Sequence, residues 1–381
     1  MTNDEFEILA DYFQYQYFQA YEEILKNIGK RIKEIGKMSP SDAHALQQVT
    51  AYGADIQKIN EILQKESKKS QKELAKVFQD VAKDGYDFAK KFYDAQGIPQ
   101  VPIAQNAQLQ ALLASLWKSG KGIFENFSST STIGVVNRNG VFVPFQEYYV
   151  RAIDDAVILV TTGTKDFNSA ISSTLKELLK SGVRVKYESG NTRELYSAVR
   201  MNVLEGCNQV YIQTQQECGR QYGSDGVEIS AHALCAPDHI HIQGRQYTNE
   251  QYEKLNASLA RPIGRLNCHH FAFPIVMGIS PPAYSKDELK KITDLSNEIV
   301  SSRGRQMTRY EASQAMRRYE YTLRQKKAEK ALFEASGDAD AAAIANKRIR
   351  EVSAQYKKFC SDTGLTPRSY RTRLPKVKAP M

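Results

Sequence analysis

The sequence predicts a predominantly helical α+β fold, and three observations support this class. Apolar residues recur with the period of an α-helix through the first hundred residues. Short runs typical of β-strands lie near the middle of the chain, and helical periodicity returns afterwards. The 381 residues therefore divide into an N-terminal helical region (1–180, with a hairpin near 134–143), a small α+β module with short strands (181–284), C-terminal helices (285–366) and a basic mobile tail (367–381).

The first hundred residues predict three helices whose apolar stripes form a core. The first stripe has helical spacing and comprises Phe6, Leu9, Phe13, Tyr17, Tyr21, Ile24, Ile28, Ile32 and Ile35. Ser39, as a cap before Pro40, predicts a new helix start. The next stripes comprise Leu46, Val49, Ile56, Ile59 and Leu63, and then Leu74, Val77, Phe78, Val81, Phe88 and Phe92. Whether these helices form a compact bundle or an extended arm is left open.

A β-hairpin is predicted within the helical region. Two β-prone runs, 135–136 and 141–143, flank the pair Asn139-Gly140, which is a typical hairpin turn. Helices are predicted on both sides of this hairpin, over Gln105–Phe127, Phe145–Val160 and Asp166–Leu179.

The module after residue 181 is predicted to mix strands with one long helix. Residues 183–187 alternate like a half-exposed strand, and 227–230 form a second β-prone run. Between them, a helix is predicted to begin at Thr192 and to end at about Gly223.

Two helices are predicted beyond residue 285. Thr308 and Glu311 have the spacing of a capping box, which predicts the start of a basic helix. Gly337 interrupts helical periodicity, and a last helix is predicted over about Asp340–Phe359. The basic, proline-containing tail from Pro367 is expected to be extended.

Composition restricts the classes of protein to consider. The net charge of +9 and the pI of about 9.1 favour polyanionic partners such as nucleic acid, although most basic residues alternate with acidic ones along helices. No run is long enough for a membrane helix, and the acidic N-terminus does not look like a secretion signal. Five cysteines with no framework spacing are expected to stay reduced. Phosphate-binding loops, dinucleotide-binding glycine motifs and hydrolase elbows are absent from the sequence.

Five of the six histidines lie between His232 and His270, and two cysteines accompany them. Imidazole nitrogen and thiolate sulfur are preferred zinc ligands, so the segment is a candidate structural zinc site. The predicted ligands are His232, His239, Cys268 and His270, with Cys235 and His241 as alternatives. A second interpretation stays open, in which the same side chains hydrogen-bond one another without a metal. Both interpretations place these residues close together.

An enzymatic alternative uses the same cluster. Asp238-His239, Asn267 and His270 have the residue order of a metal-dependent HNH-like nuclease, in which a histidine activates water. However, the segment that follows His270 contains Pro274, and a proline disfavours the helix that would present a metal-binding histidine.

Several stretches of the chain resemble the phage minor capsid protein 2 family, which is similar to the MuF-like head-morphogenesis proteins. The resemblance covers about Val183 to Leu365. The stretches that carry it are Tyr187–Gly190, Leu195–Asn202, Val227–His232, His239, Gln243–Gly244, Asn267–His270, Phe273–Pro274, Gly278–Ser280, Tyr310–Gln314 and Arg318–Glu320.

In MuF-like relatives the matching segment has cysteines and a histidine followed by a Cys-Arg-Cys motif. The resemblance implies that His232 and His239 replace the first cysteine pair and that 268–270 replace the motif, which keeps metal-binding side chains at each place. His269 stands where arginine is expected, so the charge contact of that arginine is expected to be missing.

The resemblance also implies a non-enzymatic structural role in the virion, near the portal, in head assembly or DNA delivery. The implied partners are phage portal and capsid proteins, with non-specific charge contacts to packaged DNA, oligomerisation in the virion and no membrane anchor. The implied location is the phage head, assembled in the bacterial host cytoplasm. Alternatives are the nuclease or a toxin-like effector that uses the His232–His270 cluster.

Overall fold

The computed structural model describes residues 3–35, 51–162, 176–265, 268–368 and 371–372. Within them the chain is predominantly helical with small antiparallel sheets, which confirms the predicted fold class. The predicted helix start at Ser39, most of the predicted helix over 166–179 and most of the predicted tail lie outside these residues. None of the described helices combines the length and the apolar character needed to cross a membrane.

The elements are numbered here in chain order. The helices are α1 (Asn3–Ile35), α2 (Ala51–Gln96), α3 (Ala107–Glu125), α4 (Phe145–Thr161), α5 (Lys176–Ser181), α6 (Leu195–Gln221), α7 (Asn249–Ser258), α8 (Lys286–Asn297), α9 (Arg309–Ser336) and α10 (Ala339–Thr363). The strands are β1 (Ile133–Val136), β2 (Phe142–Pro144), β3 (Arg184–Lys186), β4 (Thr192–Glu194), β5 (Gly226–Ile229), β6 (Gln246–Thr248), β7 (Ala272–Ile275), β8 (Ile299–Ser302) and β9 (Arg305–Thr308).

Helix α1 lies at the centre of a compact helical bundle. It packs against α2, α6 and α9. The described part of its predicted stripe is buried: Phe6, Leu9, Phe13, Tyr17, Tyr21, Ile24 and Ile28. Residues on other faces, including Gln14, Phe18 and Leu25, are buried as well, because neighbouring helices cover α1 on several sides. The N-terminal helices therefore form a bundle and not an extended arm.

The second and third predicted helices form one continuous helix, α2, so the prediction of a break between them was wrong. The apolar stripe is interrupted at Ser67 and Ser70, which are nevertheless buried. Ser67 Oγ donates to the carbonyl oxygen of Phe124 at 2.8 Å, and Ser70 Oγ lies 3.4 Å from Gln16 Oε1. Because these bonds satisfy the buried hydroxyls, the helix continues through a stretch that looks polar in the sequence.

The predicted hairpin is confirmed as β1 and β2, which pair antiparallel. Asn137 Oδ1 accepts hydrogen bonds from the backbone N–H groups of Asn139 and Val141, and Gly140 adopts a φ of +77°. The pair belongs to a four-stranded sheet of order β2-β1-β3-β4. This sheet joins strands from both sides of residue 180, and buried residues from both sides share one hydrophobic cluster.

The strand predicted at 183–187 is confirmed as β3, but the helix predicted to begin at Thr192 begins at Leu195. Residues 192–194 form β4 instead, with Thr192 opposite Lys186 and Glu194 opposite Arg184. The guanidinium of Arg184 donates to Thr192 Oγ1 at 3.0 Å and to its carbonyl oxygen at 2.9 Å. These bonds favour the extended conformation at Thr192.

The central module contains a three-stranded antiparallel sheet of order β6-β5-β7, and its strand β5 confirms the one predicted near 227–230. Pro274 lies in β7, which is an edge strand of this sheet, where a residue without an N–H is tolerated. The segment that follows His270 is therefore a strand, as the proline indicates.

The C-terminal helices agree with their predicted signals. Thr308 and Glu311 form the capping box at the start of α9, because Thr308 Oγ1 accepts from the N–H of Glu311 and the glutamate accepts from the N–H of Thr308. Gly337 ends α9 with a φ of +84°. Helix α10 then packs back along α9.

The crossing of α1 and α9 requires a glycine. A Cβ atom at Gly29 would lie 2.8 Å from the carbonyl oxygen of Leu332 and 2.9 Å from the Cβ of Ala335. We expect Gly29→Ala to lower the free energy of unfolding by about 1–3 kcal/mol, because the overpacking outweighs the gain in helix propensity. Urea denaturation measures this change.

Gly53→Ala on α2 is the matched control for this substitution. A Cβ at Gly53 would meet no heavy atom within 4 Å. We expect it to raise the free energy of unfolding by about 0.5–1 kcal/mol. Equal effects of the two substitutions would contradict the close helix contact.

Candidate metal centre

The clustered side chains lie on two chain segments that meet beside the sheet of the central module. One segment leaves β5 and the other enters β7, and the backbone N–H of Ser230 joins them by donating to Phe271 O at 2.7 Å. The segments carry the four side chains predicted as ligands, His232, His239, Cys268 and His270. Because β5 and β7 are antiparallel neighbours, residues distant in the sequence come together here.

Three of the four predicted side chains converge on one point. His239 Nδ1 and His270 Nδ1 are 3.4 Å apart, and Cys268 Sγ lies 3.5 Å from each of these nitrogens. All three residues are buried, and their exposed fractions are 1% for His239, 1% for His270 and 4% for Cys268. Among the described residues these three form a group whose ligand atoms lie within 4.8 Å of one another.

The outer nitrogens of the two imidazoles are held by hydrogen-bond acceptors. His239 Nε2 lies 2.9 Å from the carbonyl oxygen of Arg261. His270 Nε2 lies 3.1 Å from Gln243 Oε1, and that oxygen also accepts from the backbone N–H of His232 at 3.1 Å. Both Nε2 atoms must therefore donate, and a neutral imidazole carries only one proton. Each Nδ1 presents its lone pair to the centre of the cluster.

Burial keeps both imidazoles neutral. It lowers the pKa of His270 to about 2, with the neighbouring His232 and His239 adding to the effect, and it lowers the pKa of His239. Burial also raises the pKa of the Cys268 thiol. In the absence of a positive charge at the centre, the cluster therefore consists of two neutral rings and a protonated thiol.

The remaining candidate ligands lie around this group. The ring of His232 stacks on His270 at a centroid distance of 4.4 Å, and its Nδ1 lies 2.9 Å from the carbonyl oxygen of Ala233. Cys235 is buried, whereas His241 is exposed. The structure thus brings His239, Cys268 and His270 together and places His232 beside them.

A cavity of about 890 Å³ opens beside the cluster. The three converging residues line it together with Cys235 and with residues of the bundle, including Tyr310 and Arg317. Of the residues that the nuclease alternative uses, Asp238 pairs with Arg261, and its Oδ2 lies 3.9 Å from His239 Nε2. Asn267 lies outside the described residues.

A family model described as "Phage minor capsid protein 2" matches residues 1–361. The chain belongs to this family. The match begins at residue 1, well before the predicted Val183, and so includes the N-terminal bundle; it ends at residue 361, close to the predicted Leu365. Comparisons with curated proteins and with solved structures found no match. Membership makes the chain a structural component of a phage virion and implies contact with other components of the phage head.

The protein also contains a buried network of charged side chains that the sequence did not predict. Glu7 and Asp11, one turn apart on α1, both pair with Arg200 of α6 and with Arg371. Burial by itself raises the pKa of Glu7, but the guanidinium groups of Arg371 and Arg200 outweigh it and hold this pKa well below its usual range. The network therefore contains the charged carboxylate of Glu7 inside the fold.

This network reaches the histidine cluster through His269. His269 Nε2 lies 3.1 Å from Glu7 Oε1, and burial lowers the pKa of His269 to about 4. A neutral histidine thus contacts Glu7 at the place where the resemblance led us to expect no charge contact, and Arg200 supplies a positive charge to the same carboxylate.

Two residues of the segment predicted to be a mobile tail are held in place. Arg368 Nε donates to Glu320 Oε1 at 2.7 Å, and Arg371 Nε donates to Asp11 Oδ2 at 3.1 Å. The Arg371 side chain is only 5% exposed. The described part of the tail is therefore anchored to both α1 and α9.

Proposed function

We propose that this protein acts near the portal of the phage head, in head assembly or DNA delivery, and that it does so without catalysis. The observation that carries the proposal is the family match over residues 1–361, which includes the bundle, the module and the C-terminal helices. Only residues 362–381 of this chain lie outside the match. The proposed partners are the portal and capsid proteins of the same phage, and assembly takes place in the host cytoplasm.

Purified virions provide the test of this proposal. Phage that carries a stop codon in this gene is compared with wild-type phage by mass spectrometry and electron microscopy of heads. We expect the wild-type heads to contain the protein, to show it beside the portal and to retain it after the tails are removed. Its absence from wild-type heads, or mutant heads that assemble, package and eject DNA normally, would overturn the proposal.

The surface of α2 supports a contact with packaged DNA. Five exposed lysines lie along one face of this helix: Lys65, Lys68, Lys69, Lys72 and Lys76. The side chain of Glu73 is turned toward α1, since it accepts from Gln16 Nε2 at 2.9 Å. In the described part of the chain, only Lys69 among the five lies at ion-pair distance from a carboxylate, 4.0 Å from Glu66. Such a row of exposed ammonium groups suits phosphate neutralisation without base reading.

Reversal of three of these charges should weaken DNA binding. We expect the triple variant Lys65→Glu, Lys68→Glu and Lys72→Glu to bind double-stranded DNA more weakly. The slope of log K against log salt should decrease in magnitude by about 3, one for each phosphate that the variant no longer neutralises. Fluorescence anisotropy over a series of salt concentrations measures both quantities.

The matched control reverses three exposed lysines on α8, Lys286, Lys290 and Lys291. This control changes the net charge by the same amount, and we expect it to show the same slope of log K against log salt as the wild-type protein. An equal loss of affinity in both triple variants would show an effect of net charge alone and would contradict a DNA contact by the α2 face.

Plasmid cleavage tests the absence of catalysis. The wild-type protein and His239→Ala are incubated with plasmid DNA and magnesium, manganese or zinc. We expect no cleavage by either protein. Cleavage by the wild-type protein that is abolished in His239→Ala would favour the nuclease alternative.

A further inference from the structure

We propose that His239, Cys268 and His270 bind one zinc ion, which joins the segment after β5 to the segment before β7. This inference concerns the module itself and does not depend on a position near the portal. It rests on the distances among three side chains and on the hydrogen bonds that orient them.

The distances match those between zinc ligands. Zinc bound tetrahedrally at about 2.0–2.1 Å from nitrogen and about 2.3 Å from sulfur separates two nitrogens by about 3.3–3.4 Å, and nitrogen from sulfur by about 3.5–3.6 Å. In this protein the two Nδ1 atoms are 3.4 Å apart, and the sulfur lies 3.5 Å from each. The side chains therefore have the separation of zinc ligands without any rearrangement.

The hydrogen bonds of the cluster also favour the binding of a cation. Both Nδ1 lone pairs point to the centre, because each Nε2 donates to a fixed acceptor. A thiol has at most one proton, so Cys268 can donate to only one of the two nitrogens. Without a metal, the Nδ1 that receives no proton from the thiol would be buried without a hydrogen-bond donor, 3.4 Å from the other Nδ1. A zinc ion accepts both lone pairs and replaces the thiol proton, which is released to solvent.

The groups around the three ligands resemble the outer shell of a metal site. A histidine ligand usually donates its second ring nitrogen to a carbonyl or carboxylate, which fixes the ring. The carbonyl oxygen of Arg261 does this for His239, and Gln243 does it for His270. Two nitrogens and one thiolate together select zinc over the hard cations magnesium and calcium.

The fourth coordination position is assigned to water. Within the described residues, no further histidine, cysteine or carboxylate belongs to the converging group. All three ligands line the cavity, so solvent reaches the centre from that side. Cys235 lines the same cavity outside the group and is not assigned as a ligand.

Metal analysis of the purified full-length protein tests the assignment. After loading with zinc and removal of the excess, we expect one zinc per chain by mass spectrometry of the metal. We expect Cys268→Ser, His239→Ala and His270→Ala to lose it, while His241→Ala, an exposed histidine of the same loop, and Cys235→Ser retain it. Wild-type protein without stoichiometric zinc would overturn the proposal, and so would retention of zinc by all three ligand variants.

Two measurements remain informative if the ligand variants fail to fold. Cobalt added to the wild-type protein should give the intense visible bands of a tetrahedral site and the near-ultraviolet band of a thiolate–cobalt bond. Gln243→Ala keeps all three ligands and removes the acceptor that orients His270 and bonds the backbone of His232, and we expect it to weaken zinc binding by about 10–100-fold. An octahedral cobalt spectrum without the thiolate band, or unchanged zinc affinity in Gln243→Ala, would contradict the assignment.

Discussion

Replacement of Arg371 by alanine is expected to lower the free energy of unfolding by about 3–5 kcal/mol. The guanidinium contacts Glu7 and Asp11 of α1, and its Nη1 lies 3.5 Å from Glu320 Oε2 of α9. Asp11 is 4% exposed and Glu320 is 1% exposed, so removal of Arg371 leaves buried carboxylates with less compensating charge. Guanidinium chloride denaturation of the variant and the wild type measures this change.

Arg348→Ala is the control for this prediction. Arg348 pairs with Glu351 at 4.0 Å on the surface of α10, and its side chain is 66% exposed, so we expect a change below about 1 kcal/mol. The loss in free energy of unfolding for Arg371→Lys should lie between those of Arg371→Ala and Arg348→Ala, because an ammonium group cannot reproduce the directed contacts of a guanidinium. If Arg371→Ala were as mild as Arg348→Ala, the anchoring of residue 371 would be refuted.

Phe6→Ala is expected to lower the free energy of unfolding by a similar amount, about 3–5 kcal/mol. Phe6 is 1% exposed and packs against Phe271 and Tyr211, with ring centroids 5.2 Å and 5.9 Å away. Phe271 directly follows His270, so this aromatic contact joins the central helix of the bundle to the module that carries the cluster. Removal of the ring leaves a cavity at that junction, and urea denaturation measures its cost.

Ile8→Ala is the control on the same helix, since Ile8 is 49% exposed and a change within about 0.5 kcal/mol is expected. A double-mutant cycle with Phe271→Ala isolates the contact between the two rings, for which we expect a coupling of about 0.5–1.5 kcal/mol. Strictly additive effects of Phe6→Ala and Phe271→Ala would argue against a direct contact between these rings.

Local signals in the sequence predicted much of the fold. The stripe on α1, the Asn139-Gly140 turn and the capping box at Thr308 each depend on residues a few positions apart, and the structure contains all three. The break predicted within the region of α2 was wrong, because two buried serines find hydrogen-bond partners on other elements. No local pattern reveals such partners.

For the candidate site, too, the sequence predicted some features and missed contacts that depend on distant residues. The abundance of histidine and cysteine indicated that the segments after β5 and before β7 meet, and three of the four predicted side chains do converge. The orientation of His232, which stacks on His270, depends on its bond to Ala233 O and could not be deduced from spacing. The network around Glu7 was missed because its partner Arg371 lies 364 positions away.

The central position of α1 has a consequence for synthesis of the chain. Helix α1 leaves the ribosome before α9, yet it packs against α9, which ends at Ser336. At about 5–20 residues per second, roughly 15–60 s pass between translation of the end of α1 at Ile35 and translation of the end of α9. During that interval the face of α1 that α9 will cover has to remain in water or be shielded by a chaperone. Truncated chains that stop before α9 should therefore aggregate in the host more readily than the full-length protein.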